Sequence, residues 1–308
     1  MLIHHLEEVM SKNKNIGLFL IILAGIFWGS MGIFVRHLAT YGFTSVQIAS
    51  MRLITAAIFF SIILFIKEPS GFKIKLKDIV LFLGLGLCSI LFFTICYFTA
   101  IKIMTISMAA ILLYTSPIWV MLMAIIFFHE KITKYKIIAL ILSFIGCVLV
   151  SGLGNGDVKL IGILIGLGSG IGYGLYSILG TVALKKYSPY TVTTYTFIIA
   201  GLGSIFVSSP TDMLHKINQA ESISGLLFFV ILTSLITAVI PFMCYTLGLG
   251  SVEASKAAIA ATVEPMVATL IGAIVFKEKI TYISAAGILC ILIAIIILNK
   301  KKPSGINE

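Results

Sequence analysis

Charge is scarce in this 308-residue chain: Asp, Glu, Lys and Arg make up 11% of it, under half the roughly 25% usual in soluble domains. Histidine is absent from the apolar stretches, because His4, His5, His37, His129 and His215 all fall in tail or loop positions. No HExxH, nucleophile elbow or GxxxxGK loop occurs, which removes the zinc-protease, serine-hydrolase and P-loop ATPase classes. Paired Cys-x-x-Cys motifs are missing too. Cys88, Cys96, Cys147, Cys244 and Cys290 lie singly in apolar runs with no neighbouring His and read as small buried hydrophobes. Neither a metal, a cofactor nor enzymatic chemistry is expected.

What is present is apolar length. The chain is 59% hydrophobic with mean hydropathy +1.13, which defines an all-α integral membrane protein. Apolar windows of span length fall at about 16–35, 45–66, 78–100, 104–128, 134–151, 158–180, 190–208, 223–246, 252–276 and 281–299, giving ten transmembrane helices. Residues 1–15 and 300–308 are polar tails. The first apolar run is too long for a signal-peptide core and is expected to be kept as a span.

The net charge of +10 would suggest nucleic acid in a soluble protein; here it belongs to the loops, and no nucleic-acid partner is expected. With the N-terminus inside, fifteen lysines fall on cytoplasmic segments against six Lys or Arg outside. That bias predicts a plasma-membrane protein with both termini in the cytoplasm.

The chain also repeats itself. At a constant offset of 148, Tyr97–Thr133 matches Tyr245–Thr281 with 13 identities in 37 positions, Pro117 falling on Pro265 and Glu130-Lys-Ile-Thr on Glu278-Lys-Ile-Thr. Two units of five spans are implied, at 16–151 and 158–299. An odd number of spans per unit makes the two units cross the membrane in opposite senses, as two inverted repeats. Such repeats typify alternating-access carriers, with the substrate held between them near midplane.

Three groups of residues could carry chemistry. Glu264, followed at once by Pro265, is an ionisable group in the middle of a span, and such groups are costly enough to read as functional. Ala257, Ala261, Glu264, Ala268 and Gly272 share one helix face, directing the carboxylate toward protein or a water-filled cavity. Pro117 and Pro265 predict a mild kink in each unit. Glu264 could anchor that kink, balance a cationic substrate, or load and release a coupling proton. Arg52 is the other charge inside a span. It could snorkel to the outer interface, bind helix-end carbonyls, pair with Glu264, or grip a substrate carboxylate with its planar fork.

Aromatic residues form the third group: Trp28, Tyr97, Tyr114, Tyr173, Tyr176 and Tyr245 as site candidates, with Trp119 and Tyr195 also within or near spans, several away from the interfacial belt where Trp and Tyr collect. Trp28 and Tyr173 are repeat partners at offset 145, as are Tyr97 and Tyr245 at 148. They could be packing, or the walls of a cavity that stacks on a planar or cationic ligand. Glycine ladders, Gly162-Gly166-Gly170-Gly174 and Gly25-Gly29-Gly32, predict close helix–helix approach.

GIFWGSMGIF in the first span, QIASMRLITAA in the second, and the pair TSPIWVMLMAIIFFHEKIT and VEPMVATLIGAIVFKEKIT together resemble the EamA family of the drug/metabolite transporter superfamily, over the whole chain after its tail. The resemblance implies a secondary transporter with a central cavity lined by spans one to four and six to nine. Spans five and ten would be peripheral, and the family allows a homodimer. Expected partners are therefore membrane lipid and a small-molecule substrate. The leading expectation is a carrier of a small polar metabolite, an amino acid or related amine, driven by proton coupling or exchange. Efflux of lipophilic cations is the alternative within transport, and a non-transporting membrane enzyme or sensor the alternative outside it.

Overall fold

The computed structural model describes residues 13–152 and 159–299, so most of both tails and the link between the two units lie outside the described residues. Every regular element among the described residues is helical. Among the described residues nine helices are long and apolar enough to cross a bilayer: Lys14–Ala39 (α1), Ser45–Lys67 (α2), Leu76–Ile103 (α3), Ile106–Phe128 (α4), Lys134–Ser151 (α5), Leu160–Ala183 (α6), Ile223–Leu249 (α8), Ala254–Phe276 (α9) and Tyr282–Asn299 (α10). The remaining span, α7, is Pro189–Ile205; an 88° bend separates it from a short amphipathic helix, Pro210–Asn218.

Side chains fix where these helices start. Thr44 caps α2 in a reciprocal box with Gln47, and Thr105, Thr133, Ser188, Ser222 and Thr281 each accept a hydrogen bond from a first-turn amide of the helix that follows. Such caps satisfy donors that a helix start leaves orphaned. Between the caps the surface is apolar all round, with Phe65, Ile66 and Phe206 standing outward and exposed. A water-facing protein would bury them; a lipid-facing one need not.

The packing pairs obey one exchange rule. The second half of α8 packs on α1 as the second half of α3 packs on α6; α9 packs on α1 as α4 packs on α6; α2 meets α7, and α5 meets α10. Adding five to each span number maps this set onto itself, as expected of two five-helix units about a pseudo-twofold axis. α5 and α10 lie at the edge, with only 28% and 22% of their apolar windows buried against 50% for α2 and α6.

Local irregularities repeat as well. Both α3 and α8 pass through a π-helical segment, at Gly84–Leu91 and Leu235–Val239. Both α4 and α9 end in a left-handed residue, His129 and Lys277, 148 positions apart. The kinks expected at Pro117 and Pro265 are breaks of the helix: α4 is interrupted at 114–115 and α9 at 261–262. Each proline sits in the first turn of the helical piece that resumes, where its missing donor costs nothing.

Glycines of the central helices rest on these breaks. A Cβ at Gly170 of α6 would stand 2.7 Å from the Leu112 carbonyl oxygen, and one at Gly29 of α1 would stand 2.8 Å from the Glu264 carbonyl oxygen. Both contacts are with backbone, which cannot swing aside, so glycine is what lets α6 and α1 touch the interrupted helices. Gly32, expected to continue the ladder, has no neighbour there and faces open space.

Candidate functional site

Six of the eight substrate-site residues singled out from the sequence meet in one place. Trp28, Arg52, Tyr97, Tyr114, Tyr173 and Glu264 line a cavity of about 400 Å³, with Phe93, Phe98 and Phe242 completing its aromatic wall. It runs from Trp28 and Glu264 at the centre of the bundle up to the exposed Arg36 and Ile106, at the end where α1 meets α2 and α3 meets α4. The break in α9 sets the start of the piece carrying Glu264, and Tyr173 of α6 donates its hydroxyl to Glu264 Oε2 at 3.1 Å.

Arg52 does not snorkel to an interface. Its side chain is buried; one terminal nitrogen donates to the Met31 sulfur at 3.1 Å, while Nε is buried with no partner. Ser234 of α8 donates to the Arg52 carbonyl and so fixes the backbone beneath the guanidinium. Arg52 and Glu264 face the same space without forming an ion pair. A buried guanidinium satisfied only by a thioether is a costly arrangement, and its unmet donors match a ligand carboxylate in geometry and charge.

Tyr176 and Tyr245 lie elsewhere, toward the opposite end. With Trp28, Ser116, Val120, Tyr173, Ser177, Phe242 and Ala261 they surround a constricted space of about 20 Å³, too small for any metabolite. Tyr176 is hydrogen-bonded to Thr246 at 2.6 Å and Tyr245 to Ser177 at 2.7 Å, while Trp28 meets Phe242 edge to face and Tyr245 at a tilt, with centroids 5.0 and 5.4 Å away. Trp28 and its repeat partner Tyr173 meet edge to face, centroids 6.1 Å apart, between the two spaces.

The two spaces are related residue by residue. Tyr173, Tyr176 and Ser177 are the repeat partners of Trp28, Met31 and Gly32 at offset 145. Phe242, Tyr245, Ala261, Ser116 and Val120 are the partners of Thr94, Tyr97, Leu113, Glu264 and Ala268 at offset 148. All eight partners line the large cavity. The constriction is thus the same set of positions from the other unit, collapsed.

Below the constriction, charges tie the units together. Lys136, at the start of α5, is buried and reaches Glu130 Oε2 at 3.0 Å and Glu253 Oε2 at 2.7 Å, and Ser255 of α9 donates to Glu130. Partial burial works to raise the Glu253 carboxyl, but Lys136 and Lys256 outweigh it and hold the group below its ordinary 4.5. A depressed carboxyl stabilises the fold above its unfolded value, and that contribution is lost as pH falls through the lowered one. The latch is therefore expected to weaken below about pH 4.5. Lys136→Met should cost about 3 kcal/mol, since it strands a carboxylate in a largely buried pair; thermal melting of the purified protein checks this. At the other end Arg36 pairs with Glu278 at 2.7 Å and stacks over Phe276, both side chains of the pair being more than half exposed.

Phe93, Phe98, Phe242 and Met31 were not anticipated. Phenylalanine occurs 21 times in the chain, in the core and on the outer surface alike, so its type carries no signal; Phe242 could have been found as the repeat partner of Thr94. Among the described residues no cluster of three His, Cys, Asp or Glu side chains could hold a metal ion.

A multi-span helical bundle of two related units, with a charged and aromatic cavity between them, is the architecture of a membrane carrier. The chain belongs to the EamA-like transporter family, whose pattern matches residues 15–152 and 160–300. An uncharacterized transporter of Archaeoglobus fulgidus is 28% identical over 278 residues, covering 90% of this chain and 94% of that one. The uncharacterized transporter YyaM of Bacillus subtilis is 24% identical over 269 residues, covering 84% and 86%. A protein of known crystal structure superposes with a TM-score of 0.77 over 93% of this chain and 97% of its own, at 12% identity, a likeness of fold alone.

Proposed function

We propose that the protein is a secondary active transporter of a small polar metabolite bearing a carboxylate and an amine, an amino acid or a close relative, working by alternating access between inverted units. The observation that carries this is the buried Arg52, short of partners, facing Glu264 across an aromatic cavity open at one end. The guanidinium suits the substrate carboxylate, and Glu264 with Trp28, Tyr97, Tyr114 and Tyr173 suits its ammonium. Glu264, hydrogen-bonded by Tyr173, is also the group placed to carry a coupling proton; exchange of one substrate for another is the other driving force in keeping with the cavity. The relation between the open cavity and its collapsed counterpart supports alternating access, because exchanging the two conformations would close one space and open the other. By the lysine census, the open end faces outward in the plasma membrane.

The aromatic wall alone would also accept a lipophilic cation, which makes drug efflux the second reading; a buried arginine disfavours such a ligand. Proteoliposomes under a pH gradient separate the two when loaded with amino acids or with a lipophilic cation. Wild type is expected to move amino acids faster with the gradient. Glu264→Gln is expected to lose gradient dependence and about ten-fold or more of the flux. Unchanged transport and pH dependence in that variant would remove Glu264 from coupling and leave it as a support for the broken helix.

A further inference from the structure

The segment GFKIKLKD, residues 71–78, has no part in the cavity, yet it is elaborately held. Thr191 donates to the Gly71 carbonyl at 3.2 Å and Tyr195 to the Phe72 carbonyl at 2.8 Å. The Lys75 amide donates to the Tyr187 hydroxyl, which donates to Asp78 Oδ2 at 2.8 Å, and Lys186 donates to Asp78 Oδ1 at 2.6 Å. The α2–α3 connection is thereby pinned to the α6–α7 connection of the other unit. Between them lies a pocket of about 480 Å³ lined by Lys73, Lys75, Lys77, Lys186, Ser70 and Ser188 among others.

Two features give this pocket a chemistry. Lys186 is matched by Asp78, while Lys73, Lys75 and Lys77 enter no ion pair among the described residues; even with Glu68 also in the lining, the pocket keeps an excess of positive charge. Between the 3-10 turns Pro69–Phe72 and Leu76–Asp78 the chain is extended at Lys73 and Lys75, so these two lysines point away from the side that Ile74 takes. Ile74 packs into the core, whereas Leu76 is 83% exposed and Val80, one turn on, is 73% exposed. A phosphate-sized anion fits the lysine-lined pocket, and the exposed Leu76 and Val80 stand at the start of α3, a membrane span.

We propose that this pocket binds the phosphate of an anionic phospholipid, with the lysines on the headgroup and Leu76 and Val80 against the acyl chains. A free phosphate or soluble phosphorylated compound shares the anionic chemistry, but has no use for exposed leucine and valine beside the cationic groups. Basic pockets at helix ends are a recurrent lipid-headgroup geometry. The site would tie the two units together at the membrane surface, and it stands independently of what the central cavity carries.

The full-length protein in nanodiscs of phosphatidylcholine, with and without added phosphatidylglycerol, provides the test. Phosphatidylglycerol is expected to raise the melting temperature of wild type and to appear as retained lipid in native mass spectra. The triple variant Lys73→Gln, Lys75→Gln, Lys77→Gln is expected to melt unchanged in phosphatidylcholine and to lose on the order of 100-fold in phosphatidylglycerol affinity. Lys131→Gln with Lys134→Gln, which removes cytoplasmic charge away from the pocket, should retain the response. The proposal is overturned if wild type melts alike in both lipids, if the triple variant keeps the response, or if the Lys131/Lys134 variant loses it equally. Stabilisation by inorganic phosphate alone to the same extent would overturn the lipid as its source.

Discussion

Arg52→Gln is expected to weaken substrate binding by roughly 30-fold or more while leaving the ligand-free protein as stable as wild type, or more so. The two effects have one cause. Here Arg52 is 5% exposed, and its guanidinium lacks an acid partner and has a nitrogen with no partner. A buried charge in that condition is a net cost, and its replacement by a neutral group of similar shape relieves it. With a substrate of the proposed class bound, the same group is expected to meet a carboxylate, and truncating one member of a buried, hydrogen-bonded charge pair costs about 2–5 kcal/mol. Arg52→Lys keeps the charge but not the fork, so it should fall between the two. Thermal melting with and without amino acids reads both quantities in one experiment. A purely structural arginine would lower stability and leave the ligand-induced shift alone, which would sink the carboxylate assignment.

The second large effect concerns the latch. In a variant with its native cysteines replaced, Glu130→Cys with Ser255→Cys should be bridged by a short bis-methanethiosulfonate, because these side chains meet across the two units. Bridging should stop transport, and a reducing agent should restore it. The repeat partners of Glu130 and Ser255 are Glu278 and Ser107. They sit at the opposite end, where Glu278 is engaged by Arg36 instead. Ser107→Cys with Glu278→Cys should therefore resist bridging in the conformation seen here and accept it once the protein has switched. Substrate added on one side, then the other, should shift the two yields in opposite directions. Equal yields under all conditions would mean that the ends do not alternate.

Much of this architecture was legible in the residues because lipid makes its demands locally. Apolar length marked the spans. The Glu-Lys-Ile-Thr echo exposed the duplication, and proline marked the position where α4 and α9 break. Conformation was not legible. Tyr97 and Tyr245 are repeat partners with the same side chain, yet one lines the open cavity and the other is hydrogen-bonded to Ser177 in the collapsed space; nothing in a one-dimensional pattern says which unit is open. Arg52 was ambiguous for another reason. Its fate depends on Met31, a full span away in sequence, and a thioether gives no sign that it will be the partner of a guanidinium. The lysines of 73–77 fitted a topological bias so well that their alternation with Phe72, Ile74 and Leu76 carried no separate signal.

The cavity also differs from its collapsed counterpart in what it carries. Arg52 corresponds to Phe197 and Glu264 to Ser116, so one buried cation and one buried anion are both contributed to the open side, Arg36 at its mouth being paired with Glu278. With both ionised they sum to zero, and a zwitterionic amino acid adds nothing to that sum. Such a loaded carrier would turn over without moving net charge and would be indifferent to voltage. A proton taken along on Glu264 changes this: each cycle then moves one elementary charge, worth about 2.3 kcal/mol for every 100 mV across the membrane.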